Sequence, residues 1–228
     1  IKKVILPDEV ITIGAYAFSG CSSLESINVP KKVEVIGDKA FYGCGSLSGS
    51  LLLTDHLVSI GARAFYNCTS LTGDLNIPDS VTSIGESAFF NCKGYNGTLC
   101  LSAKLTQIEE SAFNGCKFTG TLSLPESIKT IGYGAFMSNK FSGEVIIPDK
   151  TETIGNRAFA SCTELERVIF GENVSRIGSY AIREIGRGAF QNNKIIKKVI
   201  LPDEVITIGA YAFSGCSSLE SINVPKKV

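Results

Sequence analysis

Apolar and polar positions along this chain follow a recurring phrase. Ile-Gly-x-x-Ala-Phe appears at Ile13–Phe18, Ile36–Phe41, Ile60–Phe65 and Ile84–Phe89, an interval of 23 or 24 residues. It continues at Ile108–Phe113, where Glu109 replaces the glycine, and at Ile131–Phe136 and Ile154–Phe159. A degenerate copy at Ile177–Ile182 comes before Ile185–Phe190 and Ile208–Phe213. A period in this range marks stacked coils, none of which can bury its apolar face alone. The pattern therefore predicts a solenoid, with function on a repeated surface rather than in a pocket.

Within one unit, Leu24-x-x-Ile27-x-Val29-Pro30 alternates with period two and ends on a proline, which predicts a short strand with Ile27 and Val29 inward. A second extended piece, Val33 to Gly37, follows, and Gly37 lets the backbone bend sharply. Lys39 to Tyr42 reads as a single helical or 3₁₀ turn, with Ala40 allowing close approach and Phe41 filling the coil. Equivalent strand pairs recur from Val4/Leu6 to Ile222/Val224 and predict one long parallel sheet. About ten coils, stacked roughly 4.8 Å apart, would give a rod or gentle arc roughly 45–50 Å long.

Together, the strand, the Ile36-Gly37-x-x-Ala40-Phe41 box and the following Cys44 resemble the BspA-like, or Treponema-pallidum-type, leucine-rich repeat. The resemblance covers essentially the whole chain. It implies an α/β repeat solenoid, a right-handed stack of coils with a sheet on one side and short turns or helices on the other. It also implies a cell-surface or secreted protein that adheres to host matrix proteins or other cells.

Seven of eight cysteines lie three residues after the box Phe, and Asn139 and Asn193 replace them in two coils. A small polar side chain there would satisfy buried turn backbone. The Cys/Asn interchange favours reduced thiols over disulfides, whose Cβ vectors would fit poorly in an in-register ladder. It also favours them over zinc, for which the close CxxC spacing is missing. Cys100 stands apart between Leu99 and Leu101 and faces outward, as a tolerated small residue rather than a reactive thiol.

Composition excludes more than it assigns. The chain has 228 residues, 44% of them hydrophobic and 19% charged, which fits an ordered protein. Its 22 basic and 22 acidic residues weigh against nucleic acid as a partner. No apolar run is long enough for membrane insertion. The only histidine, His56, sits at a turn position, so nucleophilic catalysis has no visible basis, and neither a cofactor nor a metal is expected. Acidic residues after the strand proline (Asp8, Asp79, Asp149, Asp203) read as turn starters rather than calcium ligands.

Outward positions on the strands vary from coil to coil. Asn28, Leu52, Asn76, Cys100, Ser123, Ile146 and Ile169 form the candidate partner-binding face, alongside Ile5, Ile200 and Asn223. Such a platform suits a protein partner, in the host matrix or on another cell, although drift at unconstrained positions would produce the same variation. Tyr42, Tyr66 and Phe90 form a second candidate, an aromatic stripe, with packing between coils as the simpler account. A structural spacer with no ligand of its own is the alternative function. The end coils lack polar caps, so end-to-end self-association of the chain is expected.

The array carries one irregularity. Residues 196–228 repeat residues 1–33 without a difference, and the box at Ile177 is followed only eight residues later by the one at Ile185. One solenoid over 1–228 is expected, with its register disturbed near Ser179–Glu184.

Overall fold

The computed structural model describes residues 1–170, 184–203, 205–226 and 228. Nine box phenylalanines, from Phe18 to Phe213, stack in one column with neighbouring rings 5.1–5.8 Å apart. Phe41 through Phe190 in this column are fully buried. Around them, Ile36, Ala40, Leu57, Val81, Val145 and their equivalents close a continuous core. Rings at this separation in offset stacks add about 0.5–1.5 kcal/mol per pair beyond their burial.

Two parallel ladders replace the single sheet expected. The box residues form one of them: Thr12–Ile13, Val35–Ile36, Ser59–Ile60 and Ser83–Ile84 pair in order, and a second run joins Gln107–Ile108 to Thr207–Ile208. The ladder breaks between Ile84 and Ile108, beside the one box in which Glu109 stands for glycine. The box glycines explain why. A Cβ on Gly37 would lie 2.6 Å from the Ala15 nitrogen, and one on Gly155 would lie 2.7 Å from the Gly132 carbonyl carbon. Their role is close approach of neighbouring backbones, not the sharp bend anticipated for Gly37, which is absent from the left-handed residues. A glutamate Cβ at this station meets the same crowding, which opposes strand pairing at that step.

The strand side is more fragmentary. Lys3–Val4 pairs with Ser26–Ile27, and Leu75–Asn76 with Leu99–Cys100. A longer block then joins Gly143–Ile147, Leu165–Phe170, Lys198–Ile200 and Ser221–Ile222. Five consecutive coils carry an extra residue with a glycine, paired and unpaired alike: Leu47 and Leu51 are separated by four positions, as are Leu71 and Leu75 or Phe141 and Val145, against three for Leu24 and Ile27. Gly49, Gly73, Gly120 and Gly143 in this insertion take φ of 68–81°, a left-handed conformation that glycine adopts at little cost. Where the two coil types meet, register shifts between Gly143 and Glu144.

No helix occurs among the described residues, which corrects the helical or 3₁₀ turns expected opposite the strands. The amide two residues before each Phe, and that of the Phe itself, bond across to the next coil. Lys39 donates to Ala62 O and Phe41 to Ala64 O. The intervening amides close tight turns, Ala40 to Gly37 O and Tyr42 to Lys39 O. Residues two before and two after Phe are left-handed, as in Lys39 (φ 53°) and Gly43 (φ 70°), and this interrupts any helix.

The box at Ile177–Ile182 and the disturbance expected near Ser179–Glu184 lie outside the described residues, apart from Glu184. On either side, Thr153 pairs with Glu184 and Ile154 with Ile185, so the Ile185 box takes the place above Ile154. Arg187 N donates to Asn156 Oδ1 across 31 residues, where the corresponding bond from Ala62 to Asp38 spans 24.

Candidate functional site

The residues beside the Phe column build a ladder of side-chain caps. The carbonyls of Phe18, Phe41, Phe65, Phe89 and Phe159 accept the amide three residues on, for example Cys44 N to Phe41 O at 3.1 Å, and keep a second lone pair, whereas Phe136 and Phe190 accept the side-chain amide of Asn139 and Asn193 instead. A thiol from the following coil fills that second lone pair: Cys68 Sγ donates to Phe41 O at 3.1 Å, Cys92 to Phe65 O at 3.0 Å and Cys116 to Phe89 O at 2.9 Å. Asn139 Nδ2 does the same to Phe113 O at 2.8 Å, and Asn193 to Phe159 O at 2.9 Å. The interchange of Cys and Asn is thus a shared hydrogen-bond donor. All eight thiols are free. Burial, the largest cause, pushes the Cys44 thiol up to about 11 and the Cys162 thiol up to about 12, and it moves Cys68 and Cys92 upward as well. These sulfurs are protonated structural donors, poor nucleophiles and poor metal ligands.

Chemistry does not converge elsewhere. Among the described residues no three His, Cys, Asp or Glu side chains gather where a metal ion could be held. His56 is an exposed turn residue. The Pro-Asp turns close as expected, with Val81 N on Pro78 O, and Asp79 Oδ1 accepts from Ala103 N in the next coil.

The outward strand residues fall into four groups. Asn28 is committed to its neighbour: it accepts from Leu6 N at 2.7 Å and donates to Leu6 O at 2.9 Å. Asn223 repeats this arrangement on Leu201. Leu52 stands 77% exposed at a position outside the strand blocks, beside a cavity of about 170 Å³ lined largely by Ile27, Val29, Leu47, Leu51 and Leu71. Asn76 and Cys100 are exposed side by side in register, and Ser123 is exposed at a position outside the strand blocks. Ile146, Ile169 and Ile200 form a continuous row across the longest sheet block, Ile146 and Ile200 at 48% and 46% exposed. Beside them runs Glu144–Arg167–Lys198, with Arg167 Nη2 at 3.2 Å from Glu144.

Tyr42, Tyr66 and Phe90 do form a stripe, and they stack face to face at 4.9 and 4.8 Å. Their faces cover one another, and mainly the ring edges meet solvent. That geometry disfavours sugar stacking and leaves the stripe chiefly as coil-to-coil packing. Sequence reading missed the pair of left-handed residues flanking each Phe. The signal for the second of them was present, because glycine or asparagine fills that station at Gly20, Gly43, Asn67, Asn91 and Gly115.

The profile of the BspA type leucine rich repeat region matches residues 1–93, 58–184 and 183–228, in six copies. The chain belongs to this family. Among solved structures it resembles a leucine rich cell surface protein of Faecalibacterium prausnitzii, at 26% identity and a TM-score of 0.72, covering 99% of this chain and 70% of that one. A leucine-rich repeat protein of Bacteroides ovatus aligns at 28% identity and a TM-score of 0.56, covering 99% and 67%. The pneumococcal vaccine antigen PcpA shares the fold at 18% identity and a TM-score of 0.52, covering 100% and 73%. Among curated proteins no relative matches. No helix among the described residues is long and apolar enough to cross a membrane.

Proposed function

We propose that this chain is a non-catalytic, adhesin-like module of a cell-surface or secreted protein, which engages a host matrix protein or another cell-surface protein through its strand face. The observation that carries this reading is the row of Ile146, Ile169 and Ile200, set on the one extended sheet block and bordered by Glu144, Arg167 and Lys198. Apolar side chains held on a rigid sheet, with charges at the edge, have the composition of a protein-binding patch. The family and the surface protein of F. prausnitzii support the location. Asn76, Cys100 and Ser123 extend the same face toward Leu52.

The test is retention on immobilised extracellular-matrix proteins by the wild type and by Ile146→Lys/Ile200→Lys, with unchanged melting as the control for folding. Binding should fall at least tenfold in the variant. Equal retention would leave the spacer reading, in which the solenoid only holds other domains apart.

A further inference from the structure

On the turn side, one station breaks the charge pattern of the rest of the molecule. The residue after each cap is Ser22, Gly45 or Thr69 in the early coils, but Lys93, Lys117 and Lys140 in three consecutive central coils, and Lys194 after Thr163. Successive coils here are spaced as their Phe rings are, at 5.5 and 5.8 Å. Elsewhere, opposite charges meet between coils: Lys2 with Glu25 at 2.8 Å, Lys32 with Glu9 at 2.6 Å, Arg63 with Glu86 at 2.8 Å. Among the described residues, none of the three central lysines has a carboxylate within ion-pair distance. Lys117 Nζ instead donates to the Ser138 carbonyl of the next coil at 3.1 Å, toward Lys140. Like charges stacked along a row are unfavourable unless a bound anion offsets them.

The neighbours of the row indicate which anion. Phe118 and Phe141 are buried, while Lys140 beside them is exposed and Lys117, Thr119 and Ser142 are half-buried. Lys93 is exposed, two residues before the buried Tyr95 and three before the exposed Asn96. The row is therefore bordered by hydroxyls and an amide, not by the apolar anchors that hold a peptide. The nearest aromatic stripe has its ring faces covered, which removes the stacking platform that single-stranded nucleic acid needs.

We propose that Lys93, Lys117 and Lys140 form a rail along the solenoid axis that binds a linear sulfated polysaccharide. The rail is separate from the strand face and does not depend on the reading given above. Its attraction is electrostatic and falls with salt through counterion release.

The test titrates a heparin-derived decasaccharide into the 228-residue chain by calorimetry at low and physiological salt. Its comparators are the triple variant Lys93→Gln/Lys117→Gln/Lys140→Gln and a charge-matched control, Lys2→Gln/Lys31→Gln/Lys32→Gln. Wild type and control should bind within twofold of each other, and the triple variant should lose about tenfold or more, with a shallower salt dependence. A desulfated saccharide of equal length should not bind. The triple variant should keep a cooperative melt close to that of wild type, the relief of like charge offsetting the lost bond from Lys117 to the Ser138 carbonyl. The proposal fails if wild type does not bind, or if the triple variant binds as wild type does. It also fails if polyglutamate or an oligonucleotide of equal charge competes better than the saccharide.

Discussion

The two sides of each coil are held by different rules. Along the turns, the amides of Phe18, Phe41, Phe65, Phe89, Phe113, Phe136, Phe159 and Phe190 all donate to an alanine carbonyl in the next coil. Along the strands, ladders are confined to three blocks, and the coils containing Leu52 and Ser123 stand outside them, the former held only by a Gly49–Leu71 bridge. The contrast teaches where the chain is constrained. The aromatic column and its thiol and amide caps tolerate few alternatives, because a buried carbonyl without a donor costs roughly 1–3 kcal/mol. The strand face faces water and is free to vary, and there a partner can be recognised without disturbing the stack.

Breaking the column should have the largest effect. Phe113 packs between Phe89 and Phe136 and meets the edge of Phe118. Phe113→Ala should cost about 3–5 kcal/mol, read from the urea midpoint. Overpacking the box ladder comes next. A Cβ on Gly85 would sit 2.5 Å from the Ala62 nitrogen, so Gly85→Ala should cost about 1–3 kcal/mol. The converse change, Glu109→Gly, should restore pairing between Ile84 and Ile108 and slow hydrogen exchange at Thr106 and Glu109. If both substitutions are neutral, close approach is not what these glycines provide.

A gain of about 1 kcal/mol is expected from Tyr95→Phe, because the Tyr95 hydroxyl is buried without a partner while its ring stacks on Phe118 at 4.6 Å. The thiol ladder adds a pH dependence of known sign. Cys44 titrates at about 11 and Cys162 at about 12 in the folded chain, against 9.0 when exposed. Their contribution is intact below pH 9 and is lost as pH rises through these folded values, since the unfolded chain releases the proton first. Chemical denaturation midpoints should therefore fall on moving from pH 8 to pH 10.5, and by less in Cys44→Asn/Cys162→Asn. The smallest effect belongs to the strand face. Leu52→Asn, at a side chain 77% exposed, should change stability by less than about 0.5 kcal/mol.

Much of the architecture was legible. The spacing of Ile, Ala and Phe placed the column, and the exchange of Cys for Asn identified a capping position before its hydrogen bonds were known. Of the seven outward strand positions, Leu52, Asn76, Cys100, Ser123 and Ile146 are exposed, while Asn28 and Ile169 are half-buried. Their grouping was not legible. Asn28 and Asn76 occupy the same station, yet only Asn28 turns its amide onto a neighbouring backbone. The turns were misread as helical because Ala-Phe following Gly resembles a helix start, and no local signal shows that alternate amides will bond across coils.

By itself, the sequence determined that this chain stacks, what lies at its centre and which residues cap its carbonyls. A fixed period forces every coil to bury the same positions, so composition at those positions is enough. Tertiary structure alone decided where the ladders break, which outward side chains form a row, and that, among the described residues, Lys93, Lys117 and Lys140 have no carboxylate within ion-pair distance. Those features depend on distances between neighbouring coils, set jointly by a glycine, a glutamate or an inserted residue in each, and no single repeat contains them.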